Sequence, residues 1–92
     1  MTHKGSKYPN RLRKFRRLMR LRQQEVAERI GLKCSNRISL WEQGRALPSV
    51  VNLFKLSVLY HTLADQLYID LVEDLRDEVL GEDHINHYER TS

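Results

Sequence analysis

Basic side chains are concentrated at the start of the chain. Residues 1–22 contain nine Lys or Arg and no Asp or Glu, whereas residues 65–92 contain nine acidic residues and two basic ones. Clustered cations neutralise phosphates, so this polarity suggests one end that faces a polyanion and another that faces away from it. A solvated basic tail is the alternative, and charge alone does not decide between the two.

A second group of side chains suited to recognition lies in the segment GLKCSNRISLWEQG, residues 31–44. Gly31 and Gly44 can each end a helix, because glycine adopts positive φ without strain. Between them Ser35 and Asn36 would stand at the start of a short helix. An asparagine amide can form two hydrogen bonds with adenine, so this helix start is a candidate for reading base edges.

Other site chemistry is not indicated. The sequence lacks a Ser/His/Asp or Cys/His constellation and a glycine-rich phosphate loop, so we predict no enzyme activity and no cofactor. Cys34 is the single cysteine and cannot form an internal disulfide, which is typical of a reducing compartment. His84 and His87 would lie one helical turn apart, but two ligands do not make a zinc site, and we predict no metal.

Length and hydropathy favour one small domain. A chain of 92 residues supplies a single modest core. No apolar run approaches the roughly 20 residues of a membrane-spanning helix, and no apolar stretch of a secretory signal follows the basic start. We therefore expect a cytoplasmic protein without a membrane segment.

The elements that must position the candidate side chains are helical. Helix-favouring Glu, Arg, Leu and Gln dominate the middle of the chain, and no stretch alternates apolar and polar residues for long. Spacing and capping residues predict an all-α fold of five helices. The first three are residues 11–20 after Asn10 as N-cap, residues 23–30, and a helix through residue 43 after Ser35 as N-cap. Pro48 and Ser49 open a fourth, and a Thr62–Asp65 capping box opens a fifth. His61 would end the fourth helix in a left-handed conformation.

The residues QQEVAERIGL and ISLWEQGRALPS resemble the lambda-repressor/Cro-type helix-turn-helix family, also called xenobiotic-response-element-type regulators. The similarity covers about residues 12–68. It rests on positions at the family's characteristic offsets: Gln23, Ala27, Gly31, Ile38, Ser39, Trp41, Glu42, Gly44, Pro48, Ser49 and Asp65–Tyr68. The resemblance implies a compact lambda-repressor-like DNA-binding domain whose third helix enters the major groove.

The resemblance also implies roles for individual side chains. The residues expected to read bases are Ser35, Asn36, Arg37 and Leu40. Those expected to hold phosphates, beside the backbone N–H groups at the start of the second helix, are Arg22, Gln23, Gln43 and Arg45. Arg16 and Glu42 match an ion pair of the family and are assigned to structure. An arm that tracks the phosphates or the minor groove would use Lys4, Lys7, Arg11 and Arg13.

Three positions depart from the family pattern. Six residues, and not the usual five, separate Gly31 from Ile38, so either the turn is longer or the third helix starts earlier. Arg22 stands where a Ser or Thr N-cap is usual. Leu40 stands where a polar or basic side chain is usual; a leucine can contact a thymine methyl, but it can equally contact protein.

The fifth helix, if it continues to Gly81, is longer than so small a core needs. Leu71, Leu75 and Val79 form a stripe that either folds back onto the core or makes a two-fold interface, and we favour the interface because paired half-sites raise affinity. The expected organisation is a flexible basic arm (residues 1–10), the helix-turn-helix domain (residues 11–68), and a helical extension with a polar tail (residues 69–92).

The expected function is sequence-specific regulation of transcription, with repression favoured, by a homodimer bound to double-stranded DNA. The alternative is a protein-binding module, such as an antitoxin or an adaptor, that engages a protein partner through the acidic fifth helix. Leu40 and the long helix favour this alternative. The uninterrupted basic residues of the N-terminal third argue against a pure adaptor.

Overall fold

A computed structural model describes residues 6–81 of the chain. Within that range it contains six helices and no strand: α1 (Leu12–Leu18), α2 (Gln23–Ile30), α3 (Asn36–Glu42), α4 (Val50–Leu59), α5 (Ala64–Leu67) and α6 (Ile69–Leu80). The predicted all-α fold class is confirmed. No helix in the described part of the chain has both the length and the apolar character needed to cross a membrane.

One core is built from the inward faces of α1 to α5, together with Tyr60 just after α4 and Tyr68 just after α5. Helix α2 contributes three residues at helical spacing, and the fully buried Ala27 leaves room for the neighbouring helices to pack closely. The buried side chains are Leu12, Val26, Ala27, Ile30, Ile38, Trp41, Leu56, Tyr60, Leu67 and Tyr68.

Capping and left-handed residues set most helix ends. Asn10 accepts a hydrogen bond from the Leu12 backbone N–H at 3.0 Å, so α1 begins one residue later than predicted. It also ends earlier, at Leu18, because Arg20 adopts a positive φ of 57° and reverses the chain. Ser49 caps α4 by accepting from the Asn52 N–H at 3.1 Å, and His61, with φ of 54°, follows α4 in the left-handed conformation that we predicted.

The predicted long fifth helix is wrong. It is divided at Tyr68, whose φ of −124° and ψ of 35° interrupt the helix between α5 and α6. The Leu67 carbonyl accepts a hydrogen bond from the Arg11 N–H at 2.8 Å, which draws that carbonyl toward the start of α1. The predicted Thr62–Asp65 capping box is also absent, because Leu63 occupies the N-cap position of α5 without a side-chain cap. The described residues therefore contain six helices where five were predicted, because α5 and α6 replace the single predicted fifth helix.

Tyr68 also carries an uncompensated polar group. Among the described residues, its hydroxyl is the buried side-chain oxygen or nitrogen that lacks a hydrogen-bond partner. Loss of hydration on burial raises the pKa of Tyr68, and burial together with the charge of Glu42 raises the pKa of Tyr60. Both phenols therefore keep their protons in the folded chain at pH values where they ionise in the unfolded chain.

This difference predicts a loss of stability in alkali. Below about pH 10 both states are protonated at these phenols; above it only the unfolded state ionises, so the free energy of unfolding falls as pH rises. Each tyrosine contributes about 1.4 kcal/mol per pH unit in that window. Tyr68→Phe removes one of the two contributions, so its stability advantage over the wild type should grow by about that amount per pH unit in urea unfolding between pH 10 and 11.

The same substitution has an expected effect at neutral pH. It removes a buried hydroxyl without a partner and keeps the ring, so Tyr68→Phe should be neutral or stabilising by about 1 kcal/mol. A stability difference between the two proteins that stays constant from pH 9 to 11 would contradict the assigned cause of the alkaline loss.

Candidate nucleic-acid interface

Helix α3 buries one face and exposes the other. Ile38 and Trp41 are 1% and 4% exposed and fix the helix on the core. Four residues predicted to contact DNA, Asn36, Arg37, Leu40 and Gln43, are exposed on or at the end of this helix. Ser35, half-buried, occupies the N-cap position without making a side-chain cap, so its hydroxyl is not committed to the helix start.

The turn before α3 consists of residues 31–35. Gly31 has a φ of 90° and ends α2, and its N–H and that of Leu32 bond back to the last turn of α2. Helix α3 begins at Asn36, two residues before the buried Ile38. Asn36 and Arg37 therefore occupy the first turn of α3, the part of a recognition helix that meets base edges in this type of motif.

The C-terminal end of α3 is held by the segment before α1. Asn10 donates its amide N–H to the Trp41 carbonyl at 2.8 Å, and the Tyr8 N–H donates to the Gly44 carbonyl at 2.9 Å. Gly44 is buried with a φ of 74°, and a Cβ there would collide with Ser6 and the Tyr8 carbonyl. The end of α3 is thus anchored to a segment far away in the sequence.

The anchored segment includes the last three residues of the predicted basic arm. Residues 8–10 are hydrogen-bonded to the end of α3 and to α1, and Pro9 is buried. The sequence pattern gave no sign of these contacts, because the spacing of Tyr8 and Asn10 is not that of a helix or a strand. Residues 1–5, with Lys4, lie outside the described residues, as do His84 and His87.

A buried carboxylate ties α1, α2 and α3 together. The Glu42 side chain is 1% exposed and accepts hydrogen bonds from Arg16 Nε at 2.6 Å and Arg16 Nη2 at 3.1 Å. Arg16 uses a third donor, Nη1, for the Leu21 carbonyl at 3.0 Å. The bond to Glu42 raises the pKa of Arg16 above its ordinary value, so the guanidinium keeps its charge in this bidentate pair.

Gln23 also belongs to this cluster. Its amide Nε2 donates to Glu42 Oε1 at 2.9 Å, and the side chain is half-buried. An amide nitrogen carries two hydrogens, so this bond occupies one donor and leaves the second for a phosphate. The bond to Glu42 therefore orients Gln23 at the first position of α2 before any ligand arrives.

The start of α2 is capped by a carboxylate. Arg22 provides no side-chain cap, as its type predicts, but Glu25 accepts the Arg22 N–H at 2.7 Å and replaces the missing cap. The Arg22 guanidinium is 87% exposed and lies 3.7 Å from the same carboxylate. A phosphate at this helix end would therefore compete with Glu25 for Arg22.

The four cations predicted for the arm are not equivalent. Arg11 lies 3.4 Å from Asp70 of α6, and Arg13 lies on α1 with its Nε 3.5 Å from Glu42 Oε1. These two contacts place Arg11 and Arg13 on the folded domain, where their side chains are 44% and 51% exposed, and their predicted phosphate contacts stay a prediction. Lys7 is exposed, with its ammonium 5.5 Å from the centre of the Tyr8 ring. Arg45, just after α3, is exposed next to Gln43.

The structural role of one further cation has no signal in the sequence, because its position has the pattern of an ordinary surface residue of a helix. Lys55 of α4 donates to the Ile30 carbonyl at 3.1 Å and so closes the C-terminal end of α2. Lysine near a helix C-terminus is a general capping signal only within the same helix, whereas this one comes from a neighbouring helix. The contact fixes α2 against α4.

Comparison with known proteins agrees with this geometry. The sequence pattern of a family described as helix-turn-helix matches residues 12–65, more than half of the chain. The chain belongs to the lambda-repressor/Cro-type helix-turn-helix family, a family of DNA-binding transcription regulators. No curated protein and no solved structure matches the chain.

Proposed function

We propose that the chain is a sequence-specific regulator of transcription, most simply a repressor, that binds double-stranded DNA as a homodimer in the cytoplasm. One observation carries the proposal: the exposed face of α3 presents Asn36, Arg37 and Leu40, and exposed cations stand at the start of α2 and just after α3. Arg22 and Arg45 supply those cations. Side chains that can read base edges, with cations before and after them in the chain, have the chemistry needed in a major groove bounded by two phosphate backbones.

The proposed division of labour follows from side-chain chemistry. Asn36 and Arg37 carry donors that pair with adenine and guanine edges, Leu40 offers an apolar contact for a thymine methyl, and the Ser35 hydroxyl can donate or accept. Arg22, Gln23, Gln43 and Arg45 bind phosphates, with Gln23 oriented by Glu42. Lys7 adds a contact from the segment before α1, and Lys4 belongs to the same proposal.

The homodimer is supported by the exposed apolar residues of α6. Helix α6 has no buried residue; Leu75 and Val79 are 44% and 77% exposed, while Leu71 packs partly against the core. A two-fold axis would set two copies of α3 against half-sites on the same side of DNA. The stripe Leu71, Leu75 and Val79 is the interface we propose.

A second function, a protein-binding module such as an antitoxin or adaptor, is favoured by the same exposed helix. Helix α6 carries Asp70, Glu73, Asp74, Asp77 and Glu78 against Arg76 alone. An acidic amphipathic helix of this kind fits a basic groove on a partner. Purification of the full chain with a stoichiometric basic protein would favour this second function over the homodimer.

Substitution at two positions separates base reading from phosphate binding. Asn36→Ala should bind its selected DNA site about tenfold or more weakly and leave binding to unrelated duplexes unchanged, because each bidentate base contact is worth about 1–3 kcal/mol. Arg45→Ala should weaken binding to every duplex alike. Fluorescence anisotropy with the selected duplex and a scrambled one measures both effects.

A matched control is Gln66→Ala, which removes an exposed amide on α5, outside the proposed interface. It should leave both affinities unchanged. Equal loss of affinity for both duplexes in Asn36→Ala would contradict the base-reading role of Asn36.

A further inference from the structure

Helix α4 leaves an apolar face uncovered. Leu56 and Tyr60 are directed to the core, but Val51, Phe54 and Val58 on the other side of the helix are 63%, 56% and 74% exposed. These three residues, which we call the α4 face, are spaced three and four residues apart, the pattern of a face that packs on another helix. Three large apolar side chains at this exposure on one short helix mark an interaction surface.

The α4 face forms one wall of a groove. The groove has a volume of about 530 Å³ and is lined by Arg29 and Ile30 from α2 and by the apolar residues of α4, with Lys55 and Leu59 among them. Arg29 and Lys55 are exposed and give this α2/α4 groove a basic rim around an apolar floor. Such a groove fits an amphipathic helix whose apolar stripe is bordered by acidic residues.

Helix α6 of the same chain has that composition. Its five acidic residues and one basic residue give a net charge of −4 over twelve residues, and its exposed Leu75 and Val79 lie one turn apart. Glu78 stands three residues after Leu75 and one before Val79, at the border of this stripe. The charge of α6 therefore complements the rim of the α2/α4 groove.

The α6 helix of the same molecule does not occupy this groove. Its first turn lies at another side of α4, where Leu71 and Val72 line a second cavity together with Leu47, Val50 and Leu53. The residues that line the two cavities do not overlap. The described residues 6–81 thus leave the α2/α4 groove open, with the first turn of α6 at a different cavity.

We propose that the groove of one molecule receives α6 of a second copy of this chain, and that the exchange is reciprocal. This inference rests on the proposed homodimer and specifies its geometry: Leu75 and Val79 of one protomer contact Val51, Phe54 and Val58 of the other, and Glu78 lies near Arg29 or Lys55. In a two-fold symmetric dimer the same contact occurs twice, so two modest grooves contribute to one interface. None of the groove residues belongs to the proposed DNA contacts, so dimer and DNA can form together.

A charge placed in the groove tests the interface. Val58→Asp puts an uncompensated carboxylate on the apolar floor, at a side chain exposed enough to leave the monomer fold intact. Sedimentation equilibrium should show a dimer dissociation constant at least about tenfold higher than that of the wild type. Leu18→Asp is the control, because Leu18 is similarly exposed at 66% on α1 and lies outside the groove. A wild-type chain that stays monomeric, or a Val58→Asp dimer of unchanged strength, overturns the proposal.

A spin label identifies which surface α6 contacts. The labelled chain carries Cys34→Ser and Glu78→Cys, so its single spin label sits at the border of the stripe. It is mixed with ¹⁵N-enriched wild-type chain that carries no spin label. We expect paramagnetic broadening of the amides of Val51, Phe54 and Val58 in the ¹⁵N-enriched copy. Broadening confined to residues 71–79 of that copy would mean that two α6 helices pair with each other and would overturn the groove assignment.

The outcome for DNA is read separately. Anisotropy with duplex DNA under the same conditions tests the proposed regulator. A chain that binds DNA but dimerises through a surface other than the α2/α4 groove would reject only the groove assignment. If the label on α6 broadens the amide signals of the partner's α4 face but the wild-type chain does not bind DNA, the proposed regulator is rejected and the groove assignment stands.

Discussion

Raising the salt concentration from 50 to 200 mM should lower the affinity of the chain for duplex DNA by roughly 150-fold or more. Each neutralised phosphate contributes a slope of about −0.9 to the dependence of log affinity on log salt. If only Arg22 and Arg45 of each protomer act, a dimer neutralises four phosphates and the slope is about −3.6. Lys4 and Lys7 would make it steeper. Isothermal titration or anisotropy at four salt concentrations measures the slope directly.

Arg45→Ala isolates one part of this slope. It removes one phosphate contact per protomer, so the slope of a dimer should become shallower by about 1.8. The matched control, Arg76→Ala, removes an exposed arginine of α6 and should keep the wild-type slope. A slope near zero for the wild type, or the same slope in Arg45→Ala and the wild type, would contradict the proposed phosphate contacts.

Replacing the buried carboxylate should cause the largest loss of stability of any single side-chain change considered. Glu42→Gln keeps the shape of the side chain but leaves the Arg16 guanidinium, whose side chain is 12% exposed, without its counter-charge. Breaking one partner out of a buried pair costs about 3–5 kcal/mol. For a domain of this size that loss lowers Tm by about 12 °C or more, which thermal unfolding by circular dichroism measures.

Glu28→Gln is the control for Glu42→Gln. Glu28 is exposed on α2 and meets Gln24 in a 3.4 Å hydrogen bond at the surface, so its neutralisation should change stability by less than about 0.5 kcal/mol. Equal small effects of the two substitutions would show that the Glu42 cluster does not hold the helices together. Glu42→Gln should also weaken DNA binding, because Gln23 is oriented through Glu42.

The local rules of helix formation predicted α2 and α3 closely, since a glycine within the segment ends each helix, and the contacts from Lys55 and Asn10 only hold those ends in place. Gly31 and Gly44 adopt positive φ, and Ile38 and Trp41 are buried. The same rules failed at the fifth helix. Its division at Tyr68 coincides with a hydrogen bond from Arg11 to the Leu67 carbonyl, 56 residues away along the chain, and a periodic pattern contains no sign of such a contact.

The contacts of the candidate interface, like the helices, could be predicted from the sequence only in part. The Arg16–Glu42 pair is present in the structure, and the family resemblance was the source of that expectation. Resemblance did not identify Tyr8 and Asn10 as anchors of α3, nor the attachment of Arg11 to Asp70, because these contacts join segments distant in sequence. The sequence gives no sign that the α4 face is exposed, because Val51, Phe54 and Val58 are residue types that usually fill a core, yet they are 63%, 56% and 74% exposed.

Selection of bound sequences from a random duplex library tests the central claim most directly. A homodimer that reads DNA through α3 should enrich a palindrome whose half-sites are centred about one helical turn, roughly 10 base pairs, apart. The Asn36→Ala chain should enrich the same spacing with a relaxed base preference within each half-site. Recovery of unenriched sequences by the wild-type chain at low salt would contradict the claim that this protein reads DNA.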